Sequence, residues 1–367
     1  MKPLNVLIAP LDWGLGHASR TVPLIQEFLK NNVKVFLACS GVVSDFFAKE
    51  FPELEQLNIP SYRISYPDKA YKMPLWAFLQ ALKLKRVVKA EQKCIENIVS
   101  QKNIDIVISD NRFGAYSKKA YSVYITHQLR ILFPKYLKYL EFIGICFHKK
   151  QMKNFSEIWV PDFKERNGLA GRLSHLKKMF PDIYYIEPLS RFQNKEIKPK
   201  AEKHFKYLAV VSGVEPTRSV FETRIRNVLK QMPGKSALLC GKPGVLHQEK
   251  DGNLTVFSHL KTEAFQELVL DSEFFISRSG YSTIMDQMFL KSNCLFIPTP
   301  GQTEQEYLAE FLDKEKQAFC LKENQLSRKN VEKVLKNPPR KIAGSLNSEL
   351  EKTVQRIIQK SKEGFYA

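Results

Sequence analysis

Residues Asp271–Ala309 read DSEFFISRSGYSTIMDQMFLKSNCLFIPTPGQTEQEYLA, a strand, a glycine turn, a helix, a second strand and a second glycine loop. Glu273–Ser277 is an apolar run of strand length, and Arg278-Ser279-Gly280-Tyr281-Ser282-Thr283 follows as the turn. Small residues at a helix start leave backbone N–H groups unpaired, and such a terminus attracts phosphate. Asp286 comes one helical turn later, Phe296-Ile297-Pro298 closes the next strand, and Pro300, Gly301, Gln302 and Gln305 head the following helix. Two successive βα junctions would put these residues at the carboxyl edge of one parallel sheet, where open α/β folds bind ligands. An ordinary βαβ unit has the same spacing, so spacing alone leaves a phosphate site and a purely structural turn both open.

The 367 residues around this stretch are enough for two compact domains, and 44% hydrophobic with 11% aromatic residues describes a globular chain. No apolar stretch approaches the ~20 residues of a membrane span. Leu4–Leu11 is interrupted by Asp12 and lacks the flanks of a secretory signal, so the chain is expected in the cytoplasm. The six cysteines are scattered without a C-x-x-C pair, which reads as buried free thiols rather than zinc or disulfides. A formal net charge of +19 suits a polyanionic partner: nucleic acid, an anionic membrane or a pyrophosphate-bearing substrate. No zinc finger, ribonucleoprotein motif or basic recognition helix is legible, so nucleic acid is not expected.

At the other end of the chain, Asn5–Pro10 is a buried strand, Val22, Ile25, Phe28 and Leu29 repeat at helical spacing, and Val33–Cys39 is a second strand. The turn between them holds Gly14-Leu15-Gly16-His17, giving G-x-G-x-x-S with Ser19 in the third position. A dinucleotide site expects an acid at the end of the second strand, and here that end reads Cys39-Ser40-Gly41. Nicotinamide and flavin cofactors are therefore excluded. Further strands at Ile104–Ser109, Ser122–Thr126 and Glu157–Pro161, the last of this domain, end at Asp110, at His127-Gln128 and at Asp162. Each is a cleft-edge candidate, and each has the plainer reading of a capping or network residue.

Between these strands, Ser61–Lys102 departs from the alternation. Tyr62, Tyr66 and Tyr71 precede Trp76 and Phe78, and Leu75, Leu79 and Leu82 form an apolar stripe opposite Lys83, Arg86, Lys89 and Lys93. This is either a core helix with a solvated basic side or a surface that docks on anionic lipid through Trp76, Phe78, Lys83 and Arg86. The first domain is expected to span 1–190 and the second 200–345, joined by the polar stretch Gln193–Lys203. A basic helix occupies 346–367. The second domain opens with the strand Lys206–Ser212, the turn Gly213-Val214-Glu215-Pro216-Thr217-Arg218 and a helix.

The string Ser277-Arg278-Ser279-Gly280-Tyr281-Ser282-Thr283, with an acid three residues on and a later loop holding two glutamines, resembles the donor-binding half of MurG-like glycosyltransferases. These include the N-acetylglucosaminyltransferase of peptidoglycan-precursor synthesis and the galactolipid synthases. Gly14-Leu15-Gly16-His17 is similar to their first glycine loop with one glycine fewer, and His127-Gln128 to their His-Glu-Gln segment without the acid. The resemblance implies an α/β fold with two Rossmann-like domains whose parallel sheets face across a cleft (GT-B). It implies inverting transfer from a UDP-sugar, which is a co-substrate, with no cofactor and no metal; no Asp-x-Asp pair is present. Phosphate would be met at Ser212–Thr217 and Ser279–Thr283, with Gly213, Arg218, Arg278, Gly280 and Ser282 contributing. Phe257 and Leu260 become candidates for the uracil site, Asp286 stands where the family has a ribose-binding Glu, and Gln302 and Gln305 would read the sugar. Leu308 replaces the family's Asn.

A transferase of this kind needs a base for the acceptor hydroxyl, and His17 suits neutral pH, with Asp110 and His127 as rivals. The acceptor would be lipid-linked or anionic, with the protein peripheral at the inner face of the membrane. Two other readings compete. One is a nucleotide-sugar 2-epimerase or hydrolase of the same fold, and the other a non-enzymatic protein that binds polyanions.

Overall fold

The computed structural model describes residues 3–62, 73–133, 137, 139, 141–165, 168–176, 182–198, 200–242 and 247–363, without the side chains of 73–83. Tyr66 and Tyr71 lie outside the described residues, as do the side chains of Trp76, Phe78 and Lys83. The chain forms two compact units: one of residues 1–13, 17–189 and 346–367, the other of 14–16 and 190–345.

Unit 1 is built on β1 (Asn5–Pro10), β2 (Lys34–Cys39), β3 (Glu55–Asn58), β4 (Ile106–Asp110), β5 (Tyr121–Ile125), β6 (Glu157–Val160) and β7 (Ile183–Tyr185). Helices α1 (Leu15–Lys30), α2 (Val42–Glu50), α3 (Met73–Lys102) and α4 (Glu141–Met152) connect them. The strands lie in the order β3-β2-β1-β4-β5-β6-β7, all parallel. Every residue of β4 and β6 is buried, and apart from Ser109, Asp110 and Glu157 they are apolar without alternation. The expectation that Glu157–Pro161 is the last strand of this unit is corrected by β7. Its three half-buried residues, Ile-Tyr-Tyr, are too few to show a period.

Unit 2 holds β8 (Phe205–Val210), β9 (Ser236–Leu239), β10 (Gln248–Asp251), β11 (Leu254–Phe257), β12 (Ser272–Ser277), β13 (Asn293–Phe296) and β14 (Phe319–Cys320). Its helices are α5 (Thr217–Gln231), α6 (Thr262–Leu270), α7 (Tyr281–Leu290), α8 (Thr303–Lys314) and α9 (Arg328–Leu335). The order is β10-β11-β9-β8-β12-β13-β14. All pairs are parallel except β10 with β11, a hairpin closed at Gly252, whose φ of 62° suits glycine. Phe221, Ile225 and Leu229 of α5 pack on Leu238, Ile276 and Leu295 in one core cluster.

In each sheet the chain winds outward in both directions from one central pair, β1/β4 in unit 1 and β8/β12 in unit 2. That pair is the switch point, where the connecting loops diverge and leave a crevice at the carboxyl ends. Pro10 pairs with Asp110 there in unit 1, and Val210 with Ser277 in unit 2.

The final helix α10 (Glu349–Lys362) belongs to unit 1. Leu350, Val354, Ile357 and Ile358 are buried. The Glu187 carboxylate accepts from the N–H groups of Asn347 and Glu349 at 2.7 and 3.1 Å, satisfying donors at the helix start. Arg356 forks onto buried Glu157 at 2.6 and 2.5 Å. Ile357→Ala should therefore lower unfolding stability by about 2–5 kcal/mol in urea denaturation, as for any fully buried aliphatic side chain. A loss below ~1 kcal/mol would mean that α10 is only loosely attached.

Candidate active site

In unit 1 the switch point gathers four polar side chains. Asp110 ends β4 and is fully buried. Arg20, one turn into α1, donates to it from Nε at 2.8 Å and also from Nη2. His17 Nδ1 lies 3.2 Å from Asp110 Oδ2, and His127, just past β5, has Nδ1 3.3 Å from Arg20 Nη1. The three rival bases of the sequence reading are thus brought together by Arg20. That residue was not singled out in the sequence, although an arginine three residues after His17, next to an apolar helical stripe, was the available signal.

The cluster sets its own charge states. Burial alone would raise the Asp110 carboxyl, but the charges of Arg20 and His17 and their hydrogen bonds outweigh it and hold the group well below the usual carboxylate range. Burial lowers the His17 pKa from 6.5, the Arg20 cation lowers it further, and Asp110 opposes both. The imidazole is therefore neutral at pH 7. An ionised Asp110 can only accept, so the proton of neutral His17 sits on Nδ1 and Nε2 is the basic nitrogen.

Other strand ends carry less. Asp162 accepts from the N–H groups of Phe163, Leu169 and Ala170 and from Ser174 Oγ, so it holds a loop together. Gly14 has φ 94°, a conformation that suits glycine, and Gly16 lies in the first turn of α1.

In unit 2, the β8–α5, β12–α7 and β13–α8 junctions lie side by side because their strands are neighbours. The cap residues Gly280 and Gln302 make no side-chain hydrogen bond to the starts of α7 and α8, whereas at the start of α5 the Glu215 carboxylate accepts from the Ser219 N–H at 3.2 Å. The first-turn N–H groups and dipoles of α7 and α8 give this edge a positive potential. Ser212 and Gly213 are exposed in the β8–α5 loop, Gly213 with φ 115°, and Ser282 and Thr283 are half-buried in the first turn of α7. Phe257 and Leu260 are half-buried at and just beyond the end of β11.

Both arginines expected at the phosphates are engaged by acids within the fold. Arg278 is buried, ion-paired to Glu323 at 2.6 Å, donates to the carbonyls of Ile297 and Pro298, and lies over the Phe221 ring. Arg218 is paired with Glu215 and Glu222, each at 2.7 Å, and bonds the Cys240 carbonyl. The resemblance places each cation at the phosphates, and in the fold each is ion-paired with glutamate. Ser279 also turns inward, its hydroxyl donating to the Gln305 carbonyl at 2.7 Å. The Gln305 side-chain oxygen accepts from Thr299 N–H at 2.9 Å, which leaves its amide nitrogen for a ligand. Gln302 is half-buried at the α8 start.

Asp286 is 8% exposed and takes a hydrogen bond from Ser190 at 2.6 Å. Burial pushes its pKa up to about 6, against the pull of Arg191 and Ser190. Among the described residues no group of three or more His, Cys, Asp or Glu side chains is arranged to hold a metal ion.

The unit 1 cluster can be tested by titration. Histidine NMR should place the His17 pKa below 6.5, and Arg20→Met should raise it, since the cation disfavours the protonated ring. A fall on removing Arg20 would mean that the Asp110 contact had been lost.

Residues 219–362 match the glycosyltransferase family 28 C-terminal domain. An uncharacterized glycosyltransferase of Methanosarcina acetivorans is 22% identical over 335 residues, spanning 84% of this chain and 81% of that protein. The UDP-N-acetylglucosamine–N-acetylmuramyl-(pentapeptide) pyrophosphoryl-undecaprenol N-acetylglucosamine transferase of Rickettsia africae is 33% identical over 111 residues, 28% of this chain and 27% of that enzyme. The crystal structure of the glycotransferase of kitacinnamycin superposes with a TM-score of 0.62 at 12% identity, covering 98% of this chain and 96% of that one. The chain is therefore a glycosyltransferase of GT-B fold, with two Rossmann-like units, a family 28 C-terminal domain over residues 219–362 and similarity to the MurG-like enzymes.

Proposed function

We propose that this glycosyltransferase moves a hexosyl or N-acetylhexosaminyl group from a UDP-sugar to an acceptor hydroxyl, with inversion at the anomeric carbon and without a metal ion. The observation that carries this reading is the Asp110–His17 pair at the switch point of unit 1. Asp110 is too acidic and too enclosed to take a proton, and His127 is buried against Arg20. His17 is neutral, oriented through Nδ1, and 17% of its side chain is exposed. Its Nε2 accepts the proton of the acceptor hydroxyl as the new C–O bond forms. The bond from the anomeric carbon to the phosphate oxygen breaks, and UDP leaves with the electron pair. Charge growing on the leaving diphosphate is met by the backbone N–H groups of Ser279–Thr283 and of the loop Ser212–Thr217. Asp286 accepts from the ribose hydroxyls, and Gln302 and Gln305 read the sugar.

The net charge of +19 supports a lipid-linked or anionic acceptor at a membrane surface. Arg86 is exposed on α3, on the surface assigned to lipid together with Trp76, Phe78 and Lys83. No helix among the described residues is long and apolar enough to cross a bilayer, so contact would be peripheral.

UDP should raise the thermal midpoint and NAD should not. Labelled UDP-N-acetylglucosamine, UDP-glucose or UDP-galactose should pass label into the lipid fraction of a membrane extract, EDTA should not slow the transfer, and the product linkage should be inverted. His17→Ala should cost about 10²–10⁴ in kcat, the usual worth of a general base. Near-normal turnover in His17→Ala with loss in Asp110→Asn would move the base to Asp110. Consumption of UDP-sugar at full rate without acceptor would instead identify an epimerase or hydrolase.

A further inference from the structure

Ser190 and Arg191 open unit 2 and converge on Asp286, although nothing in the spacing of the glycine motifs points to them. Ser190 Oγ donates to Asp286 Oδ1 at 2.6 Å, and the N–H of Phe192 donates to that same Oγ at 3.2 Å, so the hydroxyl is fixed as well as bonded. Arg191 Nε lies 3.9 Å from Asp286 Oδ2, inside ion-pair range and beyond hydrogen-bond range. The guanidinium is held over the rings of Phe192 and Phe265, at 5.1 and 4.8 Å, and its Nη1 faces Thr262 Oγ1 at 3.4 Å. Its Nε is buried with no hydrogen-bond partner.

The arrangement is asymmetric. One carboxylate oxygen is occupied by a fixed hydroxyl, while Oδ2 receives no hydrogen bond among the described residues and faces a cation that does not quite reach it. A ligand hydroxyl donating to Oδ2 would complete the acid, and one that also accepts from Arg191 Nε would satisfy the orphaned donor. A vicinal diol has both capacities. We infer that Ser190 and Arg191 are positioning residues that orient Asp286 and keep its carboxylate ionised, so that Oδ2 accepts from a ribose hydroxyl of the donor. This rests on the assignment of Asp286 to the ribose.

The charge balance agrees with the geometry. Burial pushes Asp286 up to about 6, and the Arg191 cation and the Ser190 hydrogen bond oppose it. Arg191 is the charged group that faces Asp286 among the described residues. Loss of the Ser190 hydroxyl should therefore raise the pKa further. Affinity that needs the ionised acid would then disappear at a higher pH.

The test is calorimetric binding of UDP to the full chain between pH 5.5 and 8. Asp286→Asn should weaken UDP at least about tenfold at pH 7.5, the scale of a lost hydrogen bond to a charged group. Ser190→Ala should bind within about threefold of wild type at pH 8, yet lose affinity on acidification about one pH unit earlier. At pH 6.5 this should add about a threefold loss to any difference seen at pH 8. Ser190→Thr, which keeps the hydroxyl, should recover the wild-type profile. If Ser190→Ala tracks wild type at every pH while Asp286→Asn is weak, the positioning role is wrong and the ribose assignment stands. A pH-independent loss in Ser190→Ala that Thr does not recover would show a structural role only. Unchanged binding by Asp286→Asn would overturn both.

Discussion

A charge with no exposed surface, the Asp110 carboxylate, organises the catalytic side of unit 1. An ionised carboxylate cannot remain in a protein interior without close cations and donors, because its desolvation penalty is several kcal/mol. Arg20 supplies both, and Arg20 is on α1 while Asp110 is on β4, ninety residues away in the chain. Satisfying the charge therefore draws the first turn of α1 to the end of β4. His17, one turn before Arg20, is carried to the same carboxylate. The loop after β1 consequently has a fixed destination even though it has one glycine fewer than its family pattern.

Unit 2 manages charge differently. Its two arginines nearest the glycine turns are neutralised by Glu323 and by Glu215 with Glu222, and both are buried. What remains at this edge is the helix starts of α7 and α8, whose cap residues make no side-chain hydrogen bond. Neutral dipoles of this kind stabilise a leaving diphosphate without having to break an ion pair first. The buried arginines brace the turns: Arg278 joins the end of β12 to the carbonyls that follow β13. A cation beside a glycine loop is thus not necessarily a phosphate ligand. The number of acids within reach decides its role.

Much of this was legible in the sequence because the signals were local. Fully buried parallel strands gave continuous apolar runs, and glycine turns marked the junctions, so the two-unit α/β architecture followed. The site residues on those junctions could be named for the same reason. What could not be read depended on contacts between distant residues. β7 and β10 are short and largely polar or half-buried, so neither period nor propensity reveals them. The fates of Arg218 and Arg278 depended on glutamates: Glu215 and Glu222 lie within a helical turn of Arg218, but Glu323 is forty-five residues from Arg278. Ser190, beside Asp286 in space, is ninety-six residues from it in sequence.

Asp110 at the end of β4 and Asp286 within α7 are both buried carboxyls, and the contrast between them has a consequence for pH. Asp110 has Arg20 in contact and is held well below the usual carboxylate range. Asp286 has Arg191 only at 3.9 Å and a single hydroxyl, so burial prevails and the group titrates near 6. For stability the sign is the opposite of an ion-paired acid. A carboxyl whose folded pKa lies above its ordinary 3.8 binds its proton more tightly when folded. Unit 2 therefore gains stability as pH falls from about 6 toward 3.8 and gives up that gain as pH rises again. In the proposed donor role recognition runs the other way, since a carboxylate that accepts from ribose hydroxyls must be ionised. A ligand-free protein that grows more stable on mild acidification while it binds UDP less well would carry both halves of that signature, and the tension between them lies in one buried side chain with too little positive charge around it.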